Sequence, residues 1–227
     1  MSLLSADDVG AILLSLRVAS LATVAALPVA LAVALAVARG RFPGRALLDA
    51  VTHVPLVLPP VATGYILLVL FGRTGPIGAF LAKAGIVLAF HWTGAAMAGA
   101  VMAFPLMMRP IRLSIEAIDS EVEDAARTLG ASRLDRLFRV TLPLAAPGLI
   151  SGAVLGFARA LGEFGATITF VAAIPGETLT LPSDIYLATQ SPGDESRALL
   201  LCGISLVIAL GAIMLSDRVN ARIQARA

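Results

Sequence analysis

Two opposite charges four residues apart, Arg159 and Glu163, stand in a stretch from Gly148 to Ala173 that holds no other charge. At that spacing they share one helix face. A charge inside hydrocarbon costs kilocalories unless it is paired or wet, and it marks an ion path, a relay or a lock between helices. If one helix runs through the stretch, Arg159 lies about eleven residues, roughly 16 Å, along it, near mid-bilayer. Two chemistries fit: a structural ion pair, or a charge lining the path of an anion, with Thr167 and Thr169 as further candidates on that path. Gly148, Gly152 and Gly156 recur every fourth residue just before the pair. Such a small-residue stripe lets another helix approach closely, whether in the same chain or in a second copy.

The residues of hydrolytic or metal chemistry are missing. There is no phosphate-binding G-x-x-x-x-G-K-S/T and no H-E-x-x-H, so the chain is not expected to hydrolyse ATP itself or to be an enzyme. His53 and His91 lie far apart and read as core or interfacial residues, which leaves no expected metal site. The single Cys202 excludes an internal disulfide.

The second chemically active stretch is Ser120 to Pro143, SEVEDAARTLGASRLDRLFRVTLP, the one long polar segment of the sequence. Ser120 with Glu123 predicts a capping box. The helix it opens carries Val122, Ala125, Ala126 and Leu129 on one face and stops at Gly130. Ser132 with Asp135 repeats the capping pattern. Leu134, Leu137 and Phe138 then give a second helix an apolar stripe that Pro143 ends. From physics alone this is a hairpin of two short helices, either resting on lipid headgroups or presented to a partner.

What positions these segments is a membrane. Hydrophobic residues make up 58% of the 227, charged residues only 14%, and mean hydropathy is +0.91. A soluble domain carries about 25% charged residues, so the chain is an integral membrane protein. Spans are predicted at about 11–38, 54–71, 86–108, 148–173 and 198–215, with a polar loop at 109–147, in one domain of 227 residues. The first is too long and lacks the basic start of a cleaved leader, so it reads as a retained span from which Arg17 snorkels to the interface. Pro55, Pro59 and Pro60 crowd the second, which predicts that it faces protein or water rather than lipid. Trp92 is placed like an interfacial anchor. A polar loop from Ile174 to Arg197 is predicted to hold one short helix near 183–189.

Sidedness follows from the basic residues. With the N-terminus outside, Arg39, Arg41, Arg45, Arg109, Arg112, Arg127, Arg133, Arg136, Arg139, Arg218, Arg222 and Arg226 all fall inside, whereas Arg73, Lys83 and Arg197 fall outside. This positive-inside bias puts the C-terminus and the 120–143 hairpin in the cytoplasm. The modest net charge of +2 gives no reason to expect nucleic acid.

The hairpin resembles the cytoplasmic loop of ABC importer permeases, whose pattern is E-A-A, three residues, G, nine residues, I-x-L-P. It reads here as Asp124-Ala125-Ala126, then Gly130, then Val140-Thr141-Leu142-Pro143. Asp124 stands where the family has Glu, with Glu123 adjacent, and Val140 where it has Ile. The run Arg159-Ala160-Leu161-Gly162-Glu163-Phe164-Gly165 is similar to the molybdate and sulfate branch of these permeases. Its continuation Ala166-Thr167-Ile168-Thr169, with Ile174-Pro175-Gly176-Glu177-Thr178 and Pro55-Leu56-Val57-Leu58-Pro59-Pro60-Val61, is most like molybdate permease subunits.

The resemblance implies an all-α membrane protein of the type I importer fold, with five transmembrane helices and a cytoplasmic coupling-helix hairpin. It implies that Glu123, Asp124, Ala125, Ala126, Gly130, Leu142 and Pro143 couple to a separate ATPase. The partners it implies are a second copy of the chain, two ATP-binding subunits, a periplasmic or surface oxyanion-binding protein and membrane lipid. ATP and Mg would sit in the ATPase and no cofactor in this chain. The inner membrane is the implied location. Sulfate, thiosulfate or tungstate transport by the same machine, or a membrane scaffold that only recruits a cytosolic partner, remain the alternatives.

Overall fold

The computed structural model describes residues 4–224, without the side chains of 215–217 and 219–224. Of the tail arginines, Arg226 lies outside the described residues. These fold as α1 (Ala6–Arg39), α2 (Arg45–Val57), α3 (Pro60–Phe71), α4 (Gly78–Lys83), α5 (Trp92–Glu116), α6 (Ser120–Thr128) and α7 (Arg133–Arg136). A π-turn (Leu137–Thr141) then leads into α8 (Leu142–Leu161), α9 (Gly165–Val171), α10 (Leu181–Gln190) and α11 (Glu195–Gln224). Among the described residues there is no strand.

Three long helices, α1, α5 and α8, form the central bundle. Ala19, Ala22, Ala26, Ala30, Ala34 and Val37 make a buried stripe of small side chains along α1. Methyl-sized residues at these spacings let α5 approach closely, and Ala103, Met107, Met108, Ile111 and Ile115 fill the seam. On the other flank the glycines of α8 do the same. A Cβ on Gly156 would overlap the Met107 side chain, one on Gly152 would lie 2.8 Å from the Met107 carbonyl, and one on Gly148 would overlap Ser114. The small-residue stripe of α8 therefore packs on α5 of the same chain.

Among the described residues four helices are long and apolar enough to cross a membrane, with a fifth crossing if α2 and α3 count as one bent span. Several boundaries differ from those expected. The stretch 54–71 is not one helix: the chain turns by 113° between α2 and α3. Pro59 and Pro60 lack the N–H groups that would have continued α2, and Pro60 opens α3 instead. Residues 86–91 are not helical; α5 starts at Trp92 and runs on to Glu116, through Pro105 and Pro110. The stretch 148–173 is also broken, because α8 stops at Leu161 and α9 begins at Gly165.

Nor is 109–147 a loop throughout. Pro143 does not end the second hairpin helix, since Arg133–Leu161 is one 29-residue helical segment. The π-turn makes this possible. Leu142 N–H reaches back to the Leu137 carbonyl, and this widened turn accommodates Pro143, which has no N–H to donate, without interrupting the helix.

At the opposite end of the bundle, Arg17 lies over the Trp92 ring at 3.8 Å, so the snorkelling cation and the aromatic anchor form one contact. Nearby, Arg197 of α11 bridges Asp8 and Asp184, both 1% exposed. Burial pushes the Asp184 carboxyl above the usual carboxylate range, and the Arg197 charge only partly offsets it. Ser15 Oγ accepts the Leu181 N–H at 2.6 Å and so caps α10, whose own N-cap residue does not. These contacts fasten α10 and α11 to the start of α1.

Candidate functional site

The hairpin begins one residue earlier than the capping pattern suggested. Asp119, not Ser120, is the N-cap of α6, its carboxylate accepting the Glu121 N–H at 2.9 Å. Ser120 is the first helical residue, and Glu123 is drawn elsewhere. Its Oε1 accepts Thr141 Oγ1–H at 3.0 Å and meets Arg39 Nη2 at 3.3 Å. The same Arg39 nitrogen also reaches the carbonyls of Ile115 and Ile118. One carboxylate thus ties α6 to the end of α1 and to the π-turn. Arg39 and Thr141 were not legible as partners, because Arg39 precedes Glu123 by 84 residues with no pattern linking them.

The turn between the two helices matches its sequence signals. Gly130 adopts φ +86° with no atom near a would-be Cβ, so what matters there is the backbone conformation alone. Ser132 Oγ accepts the Asp135 N–H at 3.1 Å. Its hydroxyl, donated to the Asp135 carboxylate, holds that group below the ordinary carboxylate range.

No residue of α6 or α7 is buried. Asp124 is exposed and pairs loosely with Arg127 at 3.5 Å, Ala125 is exposed and Ala126 half-buried. Large apolar side chains of the hairpin face outward: Leu129 just past α6 is 88% exposed, Leu134 of α7 67% and Phe138 of the π-turn 63%. Leu142 and Pro143 lie beyond the π-turn at the base of α8. The arrangement is a braced arm whose base is ion-paired to the bundle and whose tip presents uncovered apolar side chains beside small ones. Such a tip is suited to a groove on another protein.

The second site lies at the α8–α9 junction. Glu163 is 3% exposed. One carboxylate oxygen pairs with Arg159 at 2.5 Å, while the other accepts the Ala166 N–H at 2.8 Å and so caps α9. Arg159 keeps about a quarter of its side chain open. It sits in the last turn of α8, not at mid-helix. Its neighbour Ala160 shares a level with Gly99 of α5 and Ala22 of α1, only about 7 Å further along α1 than Arg17. Arg159 therefore lies toward the Trp92 end of the bundle.

Thr167 is buried, and Thr169 returns its hydroxyl to the Gly165 carbonyl at 2.9 Å. Gly64 of α3 abuts the Ala166 backbone and Gly165 abuts Pro60, so α9 lies close against the start of α3. Beyond α9, Pro175 and Gly176 (φ +78°) form a β-turn closed by the Glu177 N–H on the Ile174 carbonyl. The fully buried Thr178 hydroxyl latches that turn, accepting the Ile174 N–H and lying against the Val171 and Ala172 carbonyls.

Residues 26–225 match the family described as "Binding-protein-dependent transport system inner membrane component". The chain is 55% identical over 208 residues to the molybdenum transport system permease protein of Escherichia coli strain K12, covering 91% of each chain. To the protein of the same name from Haemophilus influenzae it is 49% identical over 218 residues, 96% of this chain and 95% of that one. A sulfate transport system permease protein of Synechococcus elongatus stands further off, at 39% over 80% of this chain and 64% of its own. Among solved structures, a bacterial ABC transporter that imports the acidic polysaccharide alginate superposes with a TM-score of 0.78 at 17% identity, over 97% of this chain and 81% of that one. That likeness carries the fold.

Proposed function

Because the chain belongs to the family of binding-protein-dependent transport system inner membrane components, we propose that it is the membrane-spanning subunit of an ATP-driven importer of molybdate. The 55% identity to a molybdenum permease along almost the full length carries the choice of substrate, the sulfate relative being more distant. The braced hairpin with its uncovered apolar tip carries the mechanism. In this reading a separate ATPase receives α6 in a surface groove. Val122, Leu129, Leu134 and Phe138 supply apolar contact, Ala125 and Ala126 permit close approach, and Gly130 sets the angle of exit.

The Arg39–Glu123–Thr141 link transmits movement of the hairpin to α1 and α8, because a rigid element braced at its base moves with the helices it is tied to. Two copies of the chain and two ATPase subunits would form the complete machine, with an oxyanion-binding protein delivering substrate at the Trp92 end. The positive-inside bias supports an N-terminus outside and a hairpin inside. Arg159, paired yet partly open, offers a guanidinium to a passing dianion, while Glu163 and Thr167 fix the position of α9. ATP and Mg belong to the ATPase, and this chain needs no cofactor for its part. In proteoliposomes holding this chain and its ATPase, binding protein loaded with molybdate should stimulate ATP hydrolysis well above the sulfate-loaded or empty form. Equal stimulation by all three would count against an oxyanion importer.

A further inference from the structure

At the base of the hairpin, Leu35 and Arg39 of α1, Glu123 of α6, and Arg133, Arg136, Leu137 and Thr141 of the following helix line an open cavity of about 190 Å³. Three guanidinium groups line it against one carboxylate. Glu123 is already engaged by Arg39 and by the Thr141 hydroxyl. Among the described residues the side chains of Arg133 and Arg136 make no ion pair or hydrogen bond, whereas Arg127 and Arg139 on the same hairpin each find a carboxylate. Nε of Arg136 is buried and has no acceptor among the described residues. A buried N–H normally has a partner, so this donor needs an oxygen from elsewhere. Water would satisfy the N–H but would leave two neighbouring cations uncompensated. A multivalent oxyanion does both, and guanidinium forks match its oxygens in pairs. At roughly 30 Å³ per water, the cavity holds several waters' worth of space, enough for a central atom and four oxygens.

We propose that this cavity is a binding site for a tetrahedral oxyanion group, held by Arg133 and Arg136, which clamps the hairpin to α1. The group is a free dianion or the phosphate of a lipid headgroup. The site is distinct from any transport path at Arg159, since it lies at the other end of the bundle. Its occupant would bind α1, α7 and the π-turn at once and so stabilise the hairpin in the braced position.

The test uses the full chain, purified in neutral detergent and stripped of lipid, with thermal unfolding followed at constant ionic strength. Inorganic phosphate and molybdate are titrated against chloride, and phosphatidic acid in mixed micelles is titrated separately. We expect a saturable rise in Tm that chloride does not give. Stabilisation by inorganic phosphate assigns the site to a soluble anion, and stabilisation by phosphatidic acid alone assigns it to a lipid headgroup. In Arg136→Gln the apparent Kd should weaken roughly tenfold or more, the loss of one charge-assisted hydrogen bond. Arg41→Gln, outside the cavity, should bind as the unsubstituted chain does. If Arg136→Gln does not insert, Arg133→Gln at an exposed position carries the same comparison. No saturable stabilisation by any of the three probes, or unchanged affinity in both arginine variants, overturns the proposal. Because the readout requires neither ATPase nor transport, it stands or falls separately from the importer assignment.

Discussion

Truncating Leu129 separates docking from folding. Its side chain is 88% exposed on an arm with no buried residues, so the chain gains almost nothing from it internally. Leu129→Ala should therefore change the permease's own stability by no more than about 0.5 kcal/mol, as for other surface positions. If the tip is buried in a groove of the ATPase, the same change removes three apolar carbons from the interface. At about 0.8 kcal/mol per buried CH₂, that amounts to roughly 2 kcal/mol of affinity. The corresponding loss is about 30-fold in Kd. Phe138→Ala should act in the same direction, though the two effects need not add, because neighbouring positions share the groove. The assay is titration of the ATPase subunit onto permease in nanodiscs, with thermal unfolding of the permease alone as the control. An unchanged Kd for both variants would refute the docking argument. So would a fall in the permease's own Tm of several degrees, since it would make the tip part of the fold. A hairpin that merely rests on headgroups predicts weaker vesicle binding and an unaltered ATPase interaction.

Other consequences can be checked with the same preparation. Gly130→Val should weaken ATPase binding while leaving insertion intact, because a β-branched residue at φ +86° is strained by about 1–2 kcal/mol; Gly130→Asn, which tolerates that region, should bind nearly normally. Gly156→Leu should prevent α8 from seating on Met107 and lower the yield of folded chain in detergent, as fluorescence-detected size exclusion would report. Glu163→Gln keeps an acceptor for the Ala166 N–H and should assemble normally, whereas Glu163→Ala loses the α9 cap and should unfold at lower temperature. The charge-neutral pair Arg159→Gln with Glu163→Gln should assemble yet take up oxyanion about tenfold more slowly; full uptake would reduce the pair to a structural lock. A cysteine placed at Gly193 should react with an impermeant thiol reagent in sealed cells and one at Ser132 should not, and labelling of Ser132 would reverse the orientation.

The hairpin was legible because its signals are local. Ser132, Asp135 and Gly130 act within one turn of where they stand, and the outward apolar stripe is a matter of helical period. The crossings themselves were legible from apolar length, but their breaks were not. Pro59–Pro60 and Pro143 look alike in sequence, yet the first pair turns the chain by 113° while the other sits in the opening turn of α8. What separates them is the π-turn before Pro143, which depends on the packing of the whole segment. Likewise α8 ends at Leu161 with Gly162 as its C-cap and Glu163 turned back to cap α9, but a lone glycine does not announce a break in a stretch that also holds Gly148, Gly152 and Gly156 inside the helix. Long-range pairs such as Arg39 with Glu123 and Arg197 with Asp8 carry no periodic trace. They appear only once the helices are assembled.

The most direct test of the importer assignment is uptake. Proteoliposomes containing this chain and its ATPase, supplied with ATP inside and binding protein outside, would be offered labelled molybdate and labelled sulfate. An oxyanion importer of this kind should give ATP-dependent accumulation of molybdate that exceeds sulfate and is sharply reduced by Leu129→Ala at limiting ATPase. Accumulation of neither anion, or molybdate entry that continues at the same rate without ATP, would contradict the assignment.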